Sequence, residues 1–129
     1  MADYCEGRVA IITGAGGGLG RAYAMALAGE GASVLVNDIN AEAAAATVAD
    51  IEAAGGTAIT NTGDITDYAA AGEIVNEAVK AFGDIHVVVN NAGVCRDRMF
   101  TSLGEEDWDV VMAVHLKGHF CISSHAARY

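Results

Sequence analysis

The pattern of apolar and polar residues predicts alternating strands and helices along this chain. Residues 9–12 are continuously apolar, as in a parallel strand that is buried on both faces. A glycine-rich turn follows, and the ten residues after Gly20 are rich in helix formers. Gly29 and Gly31 are placed to end that helix. Its buried face is predicted from apolar residues at helical spacing, namely Leu19, Ala22, Tyr23 and Ala26.

The same alternation continues through the middle of the chain. Later strands are predicted at 33–38 (SVLVND), 57–62 (TAITNT) and 85–90 (IHVVVN). Asn40 is expected to cap the second helix, and Thr66 or Asp67 to open the third. Strands that alternate with helices form a parallel sheet with right-handed crossovers. We therefore predict an α/β fold, a doubly wound sheet of Rossmann type with strand order 3-2-1-4, in one domain over residues 1–129.

A last helix is predicted from the capping-box pattern Ser-Leu-Gly-Glu at residues 102–105 onwards to Tyr129. The sequence at its C-terminal end carries no stop signal, and the fourth strand has no outer neighbour in the predicted order. We therefore expect a chain that is truncated before the later strands of its domain. The buried face of this helix is predicted to contain Trp108, Val111, Met112, His115 and Leu116.

The composition of the chain excludes several classes of binding partner and of site. The formal net charge of −10 argues against binding to nucleic acid or to an anionic membrane surface. No apolar run approaches the ~20 residues of a membrane-spanning helix, and the N-terminus lacks the pattern of a secretory signal. Three widely spaced cysteines favour free thiols, and we predict a cytoplasmic protein. No metal site is predicted, because the pair His115 and His119 lacks a third ligand.

The turn after the first strand carries the most informative spacing in the sequence. Thr13, Gly14, Gly18 and Gly20 form T-G-x-x-x-G-x-G between a predicted strand and a predicted helix. Free backbone N–H groups at such a helix start bind phosphate, and glycine lets the backbone approach a pyrophosphate closely. A G-x-G-x-x-G motif is not formed, because Leu19 occupies its last position, and no P-loop lysine follows. The alternative interpretation is a glycine-rich turn without a ligand.

Acidic residues follow the second and third strands. Asp38 lies where a carboxylate accepts hydrogen bonds from the adenosine ribose, although a solvated turn residue is the alternative. A 2′-phosphate would be repelled there by on the order of 4 kcal/mol at ~4 Å and an effective dielectric constant of ~20. No Lys or Arg between Arg21 and Lys80 offsets this repulsion, so NAD is favoured over NADP. Asp64 is placed to contact adenine, or alternatively serves as a loop or capping residue.

The fourth strand leads into two asparagines and two small residues. Small residues there allow a ribose to approach closely, and asparagine side chains can hold a loop by bonding its backbone. These four residues are Asn90, Asn91, Ala92 and Gly93. The loop that follows carries Arg96 and Arg98, which either contact an anionic substrate or belong to the loop surface.

Taken together, these motifs resemble the short-chain dehydrogenase/reductase family over the whole chain, in the family's order and spacing. GRAYAMALA, VND, NNAGVCRDRMF and DWDVVMAVHLKGHF are similar to its (3R)-hydroxyacyl-CoA dehydrogenase branch. The resemblance implies hydride transfer between NAD and a secondary alcohol or ketone, a 3-hydroxyacyl thioester as candidate substrate, and a homo-oligomer for the complete protein. The cofactor-binding residues it implies are Gly14, Gly18, Leu19, Gly20, Asp38, Asp64, Ile65, Asn91, Ala92 and Gly93.

The family's chemistry also needs a Tyr-x-x-x-Lys pair, in which the lysine lowers the pKa of the tyrosine phenol so that it can exchange a proton. This chain contains no such pair, so we expect the isolated 129 residues to be inactive. The family's helix asparagine corresponds to His115, which either joins a proton relay or packs structurally. Two other classes stay open. One is a non-catalytic dinucleotide-binding module of the same fold, and the other is a methyltransferase, which N-N-A-G and the glycine spacing disfavour.

Overall fold

The computed structural model describes residues 3–129, in which strands and helices alternate. The strands are β1 (Val9–Thr13), β2 (Ser33–Asn37), β3 (Thr57–Asn61) and β4 (Val87–Val89). The helices are α1 (Gly18–Gly29), α2 (Ala41–Ala53), α3 (Tyr68–Phe82), α4 (Glu105–Met112) and α5 (His119–Arg128). A short 3₁₀ turn lies at Phe100–Ser102 and a π-helical segment at Ala113–Gly118. No helix in residues 3–129 is both long and apolar enough to cross a bilayer.

The strands form one parallel sheet in the order β3-β2-β1-β4, which confirms the predicted α/β class and the 3-2-1-4 order. The register aligns the strand ends, because Thr13 pairs with Asn37 and Asn37 with Asn61. On the other side of β1, Ile12 pairs with Val89. The carboxyl ends of all four strands therefore meet at one edge, where open α/β sheets bind their ligands.

The strand β4 is shorter than the predicted span of residues 85–90. The imidazole of His86 accepts the N–H of Val9 at Nδ1 (2.9 Å), where a longer strand would offer a main-chain carbonyl. The N–H of His86 in turn donates to the carbonyl of Val9 (2.9 Å). At the other end Asn91 leaves the ladder, since its N–H donates to the carbonyl of Val89 (3.0 Å) and to Thr13. At each end of β4, a side-chain acceptor thus replaces a main-chain acceptor of the sheet.

The two faces of the sheet pack into separate hydrophobic clusters. Ile11 and Leu35 belong to the cluster that includes residues of α3 and α5. Ile12 and Val34, their neighbours along the strands, belong to the cluster that includes residues of α1 and α2. Because helices cover both faces, every position of β1 is buried. This double burial explains why the strand is an unbroken apolar run in the sequence.

The buried face of α1 differs from the prediction. The helix begins at Gly18, within the glycine turn, and it turns Gly20, Ala24 and Ala28 towards the sheet. A Cβ on Gly20 would lie 2.3 Å from the carbonyl oxygen of Gly14, so only glycine, which has no side chain, fits at this contact. Periodicity alone favoured the larger residues, and that prediction was wrong. All four of the predicted residues are exposed, namely Leu19, Ala22, Tyr23 and Ala26.

The helix caps of α2 and α3 follow the sequence closely. The side chain of Asn40 accepts the N–H of Ala43 (3.0 Å), as predicted. Of the two candidates for α3, Asp67 is the cap, since its carboxylate accepts the N–H of Ala70 (2.9 Å). One buried residue of α2, Thr47, was not identified from the sequence.

The C-terminal helices form a continuous helical stretch over residues 105–128, although their start and buried face differ from the prediction. Gly104 is the N-terminal cap, and Asp107 Oδ2 accepts its N–H (3.2 Å), so the capping box predicted at residues 102–105 is wrong. Ser102 instead belongs to the 3₁₀ turn. None of the predicted apolar residues of this helix is fully buried. The residues that reach the core are Gly118, Cys121 and Ile122.

The helix α5 packs against α3, which explains why Cys121 and Ile122 are buried. At this contact His125 Nε2 lies 2.9 Å from the carbonyl of Tyr68. A hydrogen bond from Ser124 lowers the pKa of the Tyr68 phenol, and Arg128 adds to the effect. Cys121 lies in the core beneath, and burial raises the pKa of its thiol.

Candidate functional site

A groove of about 420 Å³ opens at the carboxyl edge of the sheet, beside the ends of β1 and β4. Its lining includes seven of the ten residues predicted to bind a cofactor. The other three, Gly18, Leu19 and Gly20, belong to the first turn of α1 and do not line it. The predicted residues in the lining are Gly14, Asp38, Asp64, Ile65, Asn91, Ala92 and Gly93.

The glycine turn crosses from β1 to α1 in a conformation that only glycine adopts easily. Gly14 and Gly18 have φ of 63° and 53°, in the left-handed region. A Cβ on Gly14 would lie 2.9 Å from the Cα of Ala92, so the turn touches the loop after β4. Gly17 caps α1 without a side-chain acceptor, and no acidic residue stands in the first helical turn. The N–H groups at this helix start are therefore free of side-chain caps, which is the condition for binding an anion.

Gly16 is a further required glycine that the spacing T-G-x-x-x-G-x-G left as a free position. A Cβ on Gly16 would lie 2.7 Å from Asp38 Oδ2 and 2.8 Å from the Cβ of Ala43. Its N–H donates to Asp38 Oδ2 (2.9 Å). The missing side chain therefore lets the turn, β2 and α2 meet at one point. Four of the five residues 14–18 are glycines, so the sequence alone does not indicate which of these glycines the packing requires.

Asp38 is held at the groove by two main-chain groups. Oδ2 accepts the N–H of Gly16 and Oδ1 accepts the N–H of Asn40, both at 2.9 Å. A carboxylate oxygen can accept more than one hydrogen bond, so both oxygens keep capacity for ligand hydroxyls. The groove lining contains two carboxylates and no lysine or arginine. Arg21 is the basic residue nearest to Asp38 along the sequence, and it pairs with Asp50 on α2.

Asp64 and Ile65 form the part of the groove that follows β3. Asp64 Oδ1 accepts both the N–H (2.8 Å) and the hydroxyl (2.7 Å) of Thr66. This local turn is the loop role that the sequence left open as the alternative to adenine contact. Ile65 is buried in the core cluster while it also lines the groove.

The N-N-A-G segment follows β4 and forms hydrogen bonds to the carboxyl end of β1. The Asn91 side chain donates to the carbonyls of Thr13 (3.1 Å) and Gly14 (3.2 Å), as expected for an asparagine that holds a loop. Thr13 Oγ1 accepts the N–H groups of Asn91 (3.1 Å) and Ala92 (3.0 Å). Asn90 instead donates to the hydroxyl of Ser123 on α5 (2.9 Å), a side-chain contact that was not predicted.

His115 lies in the π-helical segment and contacts the loop after β4. Its Nε2 is 3.0 Å from the nitrogen and 2.9 Å from the oxygen of Val94. A Cβ on Gly93 would lie 2.5 Å from the imidazole, so Gly93 makes room for this contact. Segments of π-helix occur frequently at functional sites. The contact with Val94 favours the structural interpretation of His115, and a place in a proton relay stays a prediction.

The arginines of this loop are engaged with one carboxylate. Asp107 Oδ2 lies 2.9 Å from Arg98 Nε, and Oδ1 lies 3.9 Å from Arg96 Nε. The same carboxylate accepts the N–H of Gly104 (3.2 Å). These contacts attach the loop to the start of α4, in agreement with the surface-loop interpretation of the two arginines.

Comparison with known proteins identifies this arrangement. The family model described as short chain dehydrogenase matches residues 8–129. A hydroxyacyl-CoA dehydrogenase of Mycobacterium tuberculosis, ChsB1, is 46% identical over 96% of this chain and 40% of its own length. The mouse peroxisomal multifunctional enzyme type 2 is 47% identical over 94% of this chain and 17% of its own length.

Solved structures agree with these sequence matches. A short chain dehydrogenase from Mycobacterium avium superimposes with a TM-score of 0.94 at 48% identity, covering 97% of this chain and 46% of that one. The chain thus spans less than half the length of each of these relatives. The family match covers the sheet and the groove together, which argues against the methyltransferase alternative. The chain belongs to the short-chain dehydrogenase family.

Proposed function

We propose that this chain supplies the dinucleotide-binding part of an NAD-dependent oxidoreductase, which transfers a hydride between NAD and a secondary alcohol or ketone. The observation that carries the proposal is the position of Asp38, fixed by Gly16 and Asn40 in a groove lined by no cation. Its free acceptor capacity suits the two hydroxyls of an adenosine ribose. The 2′-phosphate of NADP would meet an uncompensated carboxylate there.

The residues of the groove fit the rest of a dinucleotide. Gly14 and Gly17 line the groove without side chains, and the helix start offers N–H groups and a positive dipole end for a pyrophosphate. Asp64 and Ile65 would border the adenine, and Asn91 to Gly93 the second ribose. When bound, NAD supplies the hydride acceptor. The protein residues bind and orient it.

A 3-hydroxyacyl thioester is the substrate that we propose. This choice is supported by two relatives, one named a hydroxyacyl-CoA dehydrogenase and one a peroxisomal multifunctional enzyme.

The cysteines at positions 5, 95 and 121 are free thiols, which suits a reducing compartment, and we propose the cytoplasm.

The experiment is a calorimetric titration of the purified protein with NAD and with NADP. We expect NAD to bind about tenfold more tightly than NADP, because water at a partly open site screens most of the repulsion of the 2′-phosphate. Equal affinity for the two dinucleotides would contradict the assignment of Asp38.

A second assay supplies 3-hydroxyacyl thioesters and simple secondary alcohols with NAD to the longest form of the protein available. Tight NAD binding without oxidation of any alcohol would favour a non-catalytic dinucleotide-binding module.

A further inference from the structure

One peptide unit of the glycine turn is held at both of its polar ends. The unit joins Ala15 to Gly16, and its N–H, on Gly16, donates to Asp38 Oδ2 (2.9 Å). Its carbonyl, on Ala15, accepts the hydroxyl of Thr47 (3.0 Å). The preceding N–H, on Ala15, donates to the carbonyl of Asn37 (2.9 Å). The orientation of this peptide plane is therefore set by β2 on one side and by α2 on the other.

Thr47 is a buried polar residue that the proposed chemistry does not use. It is 0% exposed and projects from α2 into the glycine turn. Its hydroxyl accepts a hydrogen bond from Arg21 Nη1 (3.3 Å), and the guanidinium of Arg21 also pairs with Asp50. Arginine can only donate, and a hydroxyl has one hydrogen. The donors and acceptors of these two hydrogen bonds are thereby fixed. Arg21 donates to the hydroxyl of Thr47, and that hydroxyl donates to the carbonyl of Ala15.

We propose that Thr47 is a positioning residue for dinucleotide binding and that Arg21 orients its hydroxyl. A peptide carbonyl turned into the groove would present its negative end to the pyrophosphate, which is repulsive. The hydrogen bond from Thr47 stabilises the opposite orientation, in which the N–H of Gly16 stays on Asp38. The inference rests on the proposed function of the groove, and it adds α2 to the elements that determine the affinity for NAD.

The test compares Thr47→Val, which keeps the shape and removes the hydroxyl, with Thr47→Ser, which keeps the hydroxyl. We expect Thr47→Val to raise the dissociation constant of NAD by about tenfold, the effect of one lost buried hydrogen bond. Thr47→Ser is expected to stay within about threefold of the unmutated protein. Calorimetric titration with NAD measures the affinities, and thermal unfolding is recorded for each variant.

The matched control is Val75→Ala, a truncation in the core cluster on the opposite face of the sheet. It should lower the unfolding temperature while the affinity for NAD is unchanged, which separates positioning from general loss of stability. Arg21→Ala keeps the inference testable if Thr47→Val does not fold, because Arg21 is partly exposed. We expect it to raise the dissociation constant by about threefold, since Thr47 keeps its own hydroxyl.

Two results would contradict the inference, and they differ in meaning. If Thr47→Val lowers the unfolding temperature but binds NAD as tightly as the unmutated protein, Thr47 only packs, and the proposed function stands. If the unmutated protein binds no NAD, the proposed function fails, and the inference falls with it.

Discussion

At the scale of single residues, Asp38 combines a structural and a proposed binding role in one carboxylate. Its two oxygens orient the glycine turn through Gly16 and the start of α2 through Asn40. Because these bonds fix the side chain before any ligand arrives, little conformational entropy is lost when ribose hydroxyls bind. The same carboxylate would repel a 2′-phosphate.

Replacing Asp38 with alanine should therefore affect affinity and selectivity together. We expect Asp38→Ala to raise the dissociation constant of NAD by about 10- to 100-fold, the range for hydrogen bonds to a charged group. The preference for NAD over NADP should shrink, since the repulsion is removed. Calorimetry with both dinucleotides measures the change. The control is Asp109→Ala, which removes one exposed carboxylate outside the groove, and the assignment fails if the two variants behave alike.

At the scale of elements, the glycine turn and the first turn of α1 form one unit. Gly14 contacts the loop after β4, Gly16 contacts Asp38, and Gly20 contacts Gly14. Each contact needs backbone where another residue would place a Cβ. The turn can therefore lie between β1, β2 and β4, and Gly14 and Gly17 line the groove with backbone alone.

Gly18→Val tests the proposed phosphate-binding role of this turn. Gly18 has a φ of 53°, and a Cβ there would meet open space rather than protein. The branched side chain should abolish NAD binding by standing where the pyrophosphate approaches, while circular dichroism stays largely unchanged. The control is Gly55→Val, because Gly55 has a φ of 88° and open space too, but lies in a turn outside the groove. Both variants carry backbone strain of about 1–2 kcal/mol, and unchanged NAD affinity in Gly18→Val would contradict the assignment.

At the scale of the whole molecule, the fold assembles a groove that we propose to bind the cofactor, within a chain that has no Tyr-x-x-x-Lys pair. We predict that purified residues 1–129 do not catalyse hydride transfer, because general acid–base catalysis and the positioning of substrate each contribute orders of magnitude in rate. The measurement follows NADH absorbance with secondary alcohols as substrates. Turnover like that of an ordinary dehydrogenase would refute this prediction, and His115→Ala would then be the first variant to make.

The predicted homo-oligomer has a candidate surface, a stripe of apolar residues at four-residue spacing on the C-terminal helices. Within it Trp108, Leu116 and Phe120 are each more than half exposed. Burying such a stripe against a second copy would remove apolar area from water. We expect Leu116→Glu with Phe120→Glu to shift sedimentation towards the monomer. Tyr23→Glu, at an exposed aromatic residue of α1, is the control, and an unchanged sedimentation profile in the double variant would exclude the stripe as the interface.

The sequence by itself determined the order of elements, the strand order and seven of the residues that line the groove. The order of elements is local or periodic, because buried strands are apolar runs and helix caps require particular residues such as Asn40 and Asp67. The strand order follows from the crossover rule for a doubly wound sheet, and the groove residues were implied by the resemblance to the family. The tertiary structure alone decided which face of α1 is buried and why Gly16 must lack a side chain. It also decided that Thr47 holds a carbonyl of the glycine turn. These outcomes depend on distances between elements far apart in the chain, and hydrophobic periodicity carries no information about how closely two backbones approach.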